Sequence, residues 1–364
     1  MTDEAKQFDP LVRQLSETNS RLADVERRQG TARLAARAAW KTPALENDWV
    51  NRSGCEVFGY TVDNDGVVHF RGVIQSGVAG SEIFSLPEEL RSPMERYIPI
   101  AASGGVAALR ITTTGSVIPE NLAGSNTVTW CSLTGVCYDR QGYRPDTVPM
   151  GSKARSGDYS ALWPVPHART HLGGLVLAGG MGKVYGTPAA GDEIFSVGTE
   201  QGSAWQYALT TIANGPAASG FVRQDLIKQN FKWRAGVPGT VWVSYDGLTW
   251  PSLRMYNDRQ QVTLGSGVTQ FTLSAEPWSP QLSVFKDDMG FCWLGGIVNI
   301  TNVSAGSVVG TLPADYRPLA DCIVLGINNN LPMPLRIKTN GDVVLEAAGA
   351  AAFLAVGHGY WLDN

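Results

Sequence analysis

The 364-residue sequence predicts a mainly β protein, a short N-terminal α-helix with coiled-coil spacing followed by tandem antiparallel β-sandwich modules. Three observations predict it. Apolar residues follow a helical period before residue 43 and a period of two after it. Gly, Asn, Asp, Ser and Pro punctuate the later runs every few residues. One long phrase is spelled twice, with the same internal spacing.

The composition agrees. Charged residues make up 17%, against roughly 25% in an average soluble protein, and there are 41 glycines and 11 tryptophans. Such a chain suits tight turns and buried strands and does not suit disorder. The net charge of -4, with no basic block, lacks the footprint of a nucleic-acid binder. No 18-residue apolar window is present, so no membrane insertion is expected, and the first ten residues do not read as a secretory signal. Cys55, Cys131, Cys137, Cys292 and Cys322 fit no metal-binding spacing. They read as small buried apolar residues of a chain made in a reducing cytoplasm.

Residues 1–42 form the expected attachment helix. Leu11, Leu15, Thr18, Leu22, Val25, Gln29 and Ala32 alternate steps of four and three, the spacing of a coiled-coil seam. Asp9-Pro10 starts the helix, Glu17–Arg21 and Asp24–Arg28 support it, and Pro43 closes it. Leu11, Leu15, Leu22 and Val25 are the oligomerisation seam of this reading. The same residues also fit a lone amphipathic helix packed on its own domain.

Residues 43–148 form the first module, with strands in "GVVHFRGVI", "AALRIT" and "TVTWCSLTGV". Its phrase returns in the third module, 259–364. "FRGVI" precedes Leu86-Pro87 as "WLGGIV" precedes Leu312-Pro313. "LRITTTGSVI" starts 23 residues after Leu86, and "LRIKTNGDVV" starts 23 residues after Leu312. In each copy the Pro ends a strand, the Arg that follows (Arg91, Arg317) restarts an extended chain, and Gly115 or Gly341 takes a turn with positive φ. The middle part, 149–258, shares "AGDEIFS" with the first module but lacks the Leu-Pro and the spaced "LRI". It reads as either a diverged copy or an inserted β module, and the missing phrase favours the insertion. "RQDLIKQN" (residues 223–230) is its one helical-looking stretch.

These phrases resemble the receptor-binding or minor tail proteins of tailed bacteriophages, particularly those of Gram-positive actinobacteria. The resemblance is carried by "DPLVRQLSETNSRLADVERRQG", "ALENDWVN", "IFSLPEELRSP", "VVGTLPADYRP", "LRIKTNGDVV" and the closing "GHGYWLDN". It implies a homotrimer, docked by its N-terminus to other tail or baseplate proteins, with β modules that meet host cell-surface polysaccharide. It also implies a place in the virion after synthesis in the host cytoplasm.

For chemistry, no nucleophile elbow, metalloprotease helix or phosphate loop is present. His167 and His171 lie four apart in a Pro- and Gly-rich stretch, which is not a metal site. Glu88-Glu89 and Asp287-Asp288 sit beside turns, where solvated acids are ordinary. No catalytic residue, metal or cofactor is expected. The ligand-binding candidates are aromatic: Trp242, Tyr245 and Trp250. In "TVWVSY" two valines alternate with Trp242, so a core facing the valines turns Trp242 outward, where a sugar ring can stack. The competing reading buries Trp242 between modules or in a trimer interface. The function expected is thus a non-enzymatic tail fibre or receptor-binding protein, with a tail-associated glycosidase or depolymerase as the alternative.

Overall fold

The computed structural model describes residues 39–121, 128–140, 259–271, 281–287, 289–301 and 304–362. Between 154 and 251 it describes ten strands and residues 189, 190 and 192. The predicted helix and its seam at Leu11, Leu15, Leu22 and Val25 lie outside the described residues, as does Tyr245. What is described is mainly β, in antiparallel sheets.

The first segment contributes β1 (Val50–Asn51), β2 (Gly59–Val62), β3 (Val67–Arg71), β4 (Val73–Gln75), β5 (Phe84–Ser85), β6 (Arg96–Ala102), β7 (Gly105–Ile111), β8 (Ser116–Glu120), β9 (Trp130–Ser132) and β10 (Cys137–Asp139). They form a sheet ordered β1-β4-β9-β6-β7-β8-β5 and a smaller one ordered β10-β3-β2. Between the two lies one core with Phe58, Phe70, Phe84, Ile98, Leu109 and Tyr138.

The middle segment contributes β11 (Ala154–Ser156), β12 (His167–Thr170), β13 (Leu175–Gly179), β14 (Met181–Val184), β15 (Glu193–Ser196), β16 (Gln206–Ala213), β17 (Gly220–Ile227), β18 (Asn230–Gly236), β19 (Val241–Ser244) and β20 (Leu248–Pro251). Its sheets run β11-β14-β19-β16-β17-β18-β15 and β20-β13-β12. Adding ten to each strand number of the first segment reproduces this order. The favoured expectation of a distinct inserted module is therefore replaced by a diverged third copy. Residues 223–227 belong to β17, paired with β18, so this described part of the helical-looking stretch is strand.

The last segment contributes β21 (Gln260–Gln261), β22 (Thr263–Leu264), β23 (Val268–Gln270), β24 (Ser283–Lys286), β25 (Phe291–Ile300), β26 (Val308–Thr311), β27 (Cys322–Asn328), β28 (Leu331–Ile337), β29 (Asp342–Leu345) and β30 (Phe353–Trp361). Here one sheet runs β21-β24-β25-β30-β27-β28-β29-β26-β22, with β23 on β25. β25 does the work of β3 and β4, and β30 that of β9 and β10, so two bent strands fuse the layers. The bend is a glycine in both copies. Gly72 (φ 95) and Gly296 (φ 142) each bring the chain so close to a neighbour that a Cβ would lie 2.5 Å from Phe58 Cα or 2.6 Å from Leu282 Cα.

The repeated phrase is a lock between two turns. Leu86-Pro87 leads into a 3-10 turn at Glu88–Leu90, and Leu312-Pro313 into one at Ala314–Tyr316. Arg91 and Arg317 then fold back, each Nε donating to the Leu carbonyl at 3.2 Å. The Leu N–H in turn donates to the carbonyl of Gly115 or Gly341 at 2.9 Å. Tyr138 and Tyr360 close the unit, each hydroxyl donating at 2.7 Å to the last carbonyl of that 3-10 turn, Leu90 or Tyr316. The Arg thus does more than restart an extended chain.

The three repeats pack in a ring. β6, β16 and β27, the same strand in each repeat, pack on one another around the centre. Around them β19 packs on β6, β9 on β27 and β30 on β16. Repeat two thus leans on repeat one, one on three, and three on two.

Candidate functional site

The joints between repeats hold the chemistry that the isolated modules lack. In the joint of repeat one on repeat three, Ser132 Oγ donates to the Ile323 carbonyl at 2.6 Å. In the joint of repeat two on repeat one, Ser244 Oγ donates to the Tyr97 carbonyl at 2.7 Å. The two bonds are equivalent. Ser132 and Ser244 each follow the residue paired with the last residue of the central strand (Cys131 with Ala102, Val243 with Ala213), and Tyr97 and Ile323 are both second in theirs. The third joint keeps the register and loses the hydroxyl: Leu354 pairs with Asn328, so its position is Ala355. Trp293 spans that joint instead, its Nε1 donating to the Thr249 carbonyl at 2.9 Å.

The joint between repeats one and three is the best described. Cys55, Val73, Ala101, Val106 and Ala108 of the first repeat bury against Ile323 and Leu325 of the third. The Glu56 N–H donates to the Asp321 carbonyl at 2.8 Å. At its rim the Arg52 guanidinium lies 4.6 Å from the Trp130 ring and 3.4 Å from Glu346. Glu346 also binds Arg336 Nε at 2.6 Å, with Asp321 at 3.7 Å from the same guanidinium. The first repeat has the matching trio, Arg110 with Glu120 at 2.6 Å and Glu95 at 3.8 Å. The Arg of each "LRI" is therefore a clamp between the carboxylates that flank the central hairpin.

Glu56 is buried beneath this joint, its carboxylate accepting from the Gly72 N–H at 3.1 Å and Thr134 Oγ1 at 3.2 Å. Burial pushes its carboxyl up to about 7, against the pull of Arg71 and of these two hydrogen bonds. A carboxyl titrating near neutrality is what a general acid needs. Glu56, however, is enclosed by the joint, with 7% of its surface exposed, and its oxygens serve the turns around it. Asp287 is also structural: its Oδ1 accepts from the N–H groups of Met289 and Phe291 at 2.8 Å, as Asp63 does from Asp65 and Val67 at 2.9 Å. Among the described residues, no three His, Cys, Asp or Glu side chains gather as a metal site.

The aromatic candidates separate. Trp250 is a correction: it is fully buried on β20, paired with Val176, and holds the place of Tyr138 and Tyr360. A ring that closes a core has no face to offer a sugar. Residue 242 lies on β19 at the register position of Trp130, on the strand face it shares with buried Ser244. That face is turned to repeat one. The signal in the sequence was the pair "WCS" (Trp130 to Ser132) and "WVS" (Trp242 to Ser244), which spells the joint twice. Arg52 and Glu56 carried no such signal, since nothing in sequence brings residue 52 to residue 346.

Fold and joints define a class, a single chain of three β-sandwich repeats closed into a ring. No protein-family model matches the chain, and no curated protein matches it.

Proposed function

We propose that this protein is a non-enzymatic component of a phage tail, a fibre or receptor-binding protein. On this reading it attaches by its N-terminal segment to other tail or baseplate proteins and meets host cell-surface polysaccharide with its β repeats. The observation that carries the reading is the joining of a heptad-patterned N-terminal segment to a mainly β head whose recurring phrase resembles that of tail proteins. Rigid β scaffolds that display loops suit adhesion, and many copies on one particle turn weak glycan binding into firm attachment. Among the described residues, no helix is long and apolar enough to cross a membrane. Virion localisation rests on the resemblance.

The homotrimer expected from the resemblance is left out of this proposal, because the three repeats already form a three-fold ring within one chain. The depolymerase alternative asks for two carboxylates facing across a cleft, and the acids described above are committed to turns, clamps and the joint. Incubating the full chain with host wall polysaccharide tests the reading. Intact sugar that co-sediments with the protein is the expected result. Shortened sugar would make it an enzyme, and sugar that stays in solution would remove polysaccharide as the receptor.

A further inference from the structure

We infer that the three-fold head of this protein is one chain, and that the full chain is a monomer in solution. The inference does not rest on the reading as a tail protein. It rests on the type of contact at the joints.

Each joint is heterologous: one repeat presents the strand of the β9, β19, β30 set, and the next receives it on the central strand of the β6, β16, β27 set. Contacts of this type run on as a filament or close as a ring. Here the ring closes after three. The donor face of repeat one is used on repeat three, that of three on two, and that of two on one. Each repeat has thereby used both its donor face and its receiving face. Among the described residues a second copy of the chain finds no vacant partner for either, and the interface on which a trimer of single-repeat chains would depend is consumed internally.

The side chains at the joints support a ring fixed within one sequence. In an assembly of identical chains every joint is the same. Here two joints carry the Ser-to-carbonyl bond, and the third has Ala355 with Trp293 reaching across to Thr249. A second set of equivalent positions is the strand residue beside the closing aromatic strand: His69 pairs with Cys137, Leu177 with Thr249, and Trp293 with Gly359. His69 packs against the ring of Trp361, Leu177 against Val67 and Cys137, and Trp293 on Thr249. His, Leu and Trp each suit a different neighbouring repeat. Gly135 of the first repeat is small for the same reason: a Cβ there would lie 2.0 Å from the Gly359 carbonyl of the third. The grooves between repeats are consequently three different surfaces, each present once per head.

Two measurements on the full chain test this. Light scattering or sedimentation equilibrium should give the monomer mass of 39.0 kDa; a mass about three times larger overturns the inference. Thermal unfolding followed over a roughly hundredfold range of protein concentration should give one unchanged Tm, because a joint within a chain has no concentration dependence. A Tm that rises with concentration places the joints between chains and overturns it as well. The Ser132→Val, Ser244→Val double variant keeps the question open to test if preparations aggregate. Its Tm should fall while its mass stays that of the wild type, whereas a fall in mass to one third would mean that these serines join separate chains.

Discussion

The first and third repeats keep the Leu-Pro turn, the Arg that folds back over it and the Gly beneath it; the middle repeat lacks the phrase. The first and the middle repeat have the same strand order, and the third differs from them in the two long strands that join its layers. The phrase is therefore one way to tie the strand before the 3-10 turn to the central hairpin, and it is not what sets the topology. What the repeats share throughout is the joint that each strand set presents to its neighbour. The central strands stay in place even where the turns have changed, and they are the strands on which the ring closes.

Three perturbations break or sharpen that comparison. The largest effect should come from the middle repeat. Trp250→Ala removes the ring that stands where Tyr138 and Tyr360 close the other two, and it should cost about 3–5 kcal/mol in chemical denaturation. A change under about 1 kcal/mol would show that the middle copy does not depend on that position.

The second concerns Glu56, which the first repeat places under its joint with the third. Folded Glu56 keeps its proton up to about pH 7, whereas the unfolded group loses it near 4.5. Its contribution is therefore fully present below about pH 4.5 and is lost as pH rises through 7, by on the order of 3 kcal/mol at about 1.4 kcal/mol per pKa unit. Glu56→Gln should flatten that slope in a plot of stability against pH. Burial also moves His358, in the third repeat, down to about 4, so its contribution runs the other way, present above the usual histidine range and lost towards pH 4. Comparing the variant with the wild type separates the two, since only the Glu56 slope should disappear.

The smallest effect tests the lock itself. Gly115→Ala and Gly341→Ala force a side chain into φ near 95° and place a Cβ 2.9 Å from the Leu carbonyl in either copy. Each should lose roughly 1–3 kcal/mol, and by similar amounts, because the surroundings are the same. Unequal losses would mean that the shared phrase is held differently in the two repeats.

The repeat of the Leu-Pro phrase, the equal 23-residue spacing and the β character were legible because they depend on neighbours in sequence. A Pro that ends a strand, a Gly that must take positive φ and an alternating run all act within a few residues. The diverged middle copy was not legible. Its core positions accept any apolar side chain of about the right size, so Trp250 can stand where Tyr138 stands, and the short shared "EIFS" lacks the spaced "LRI" that would announce the match.

The binding candidates show the same boundary. Alternation in "TVWVSY" separates two strand faces by period alone and carries no information on which face meets solvent. The described side chain of β19, Ser244, is used on the next repeat, bonding to Tyr97, 147 positions away in sequence. By itself the sequence determined the β class, the turns and the existence of a repeat, since local sterics and period decide those. Only the tertiary structure decided how many copies there are and that they close on one another. Those facts rest on contacts between residues 52 and 346, 132 and 323, or 244 and 97, and no local pattern encodes a meeting at that distance.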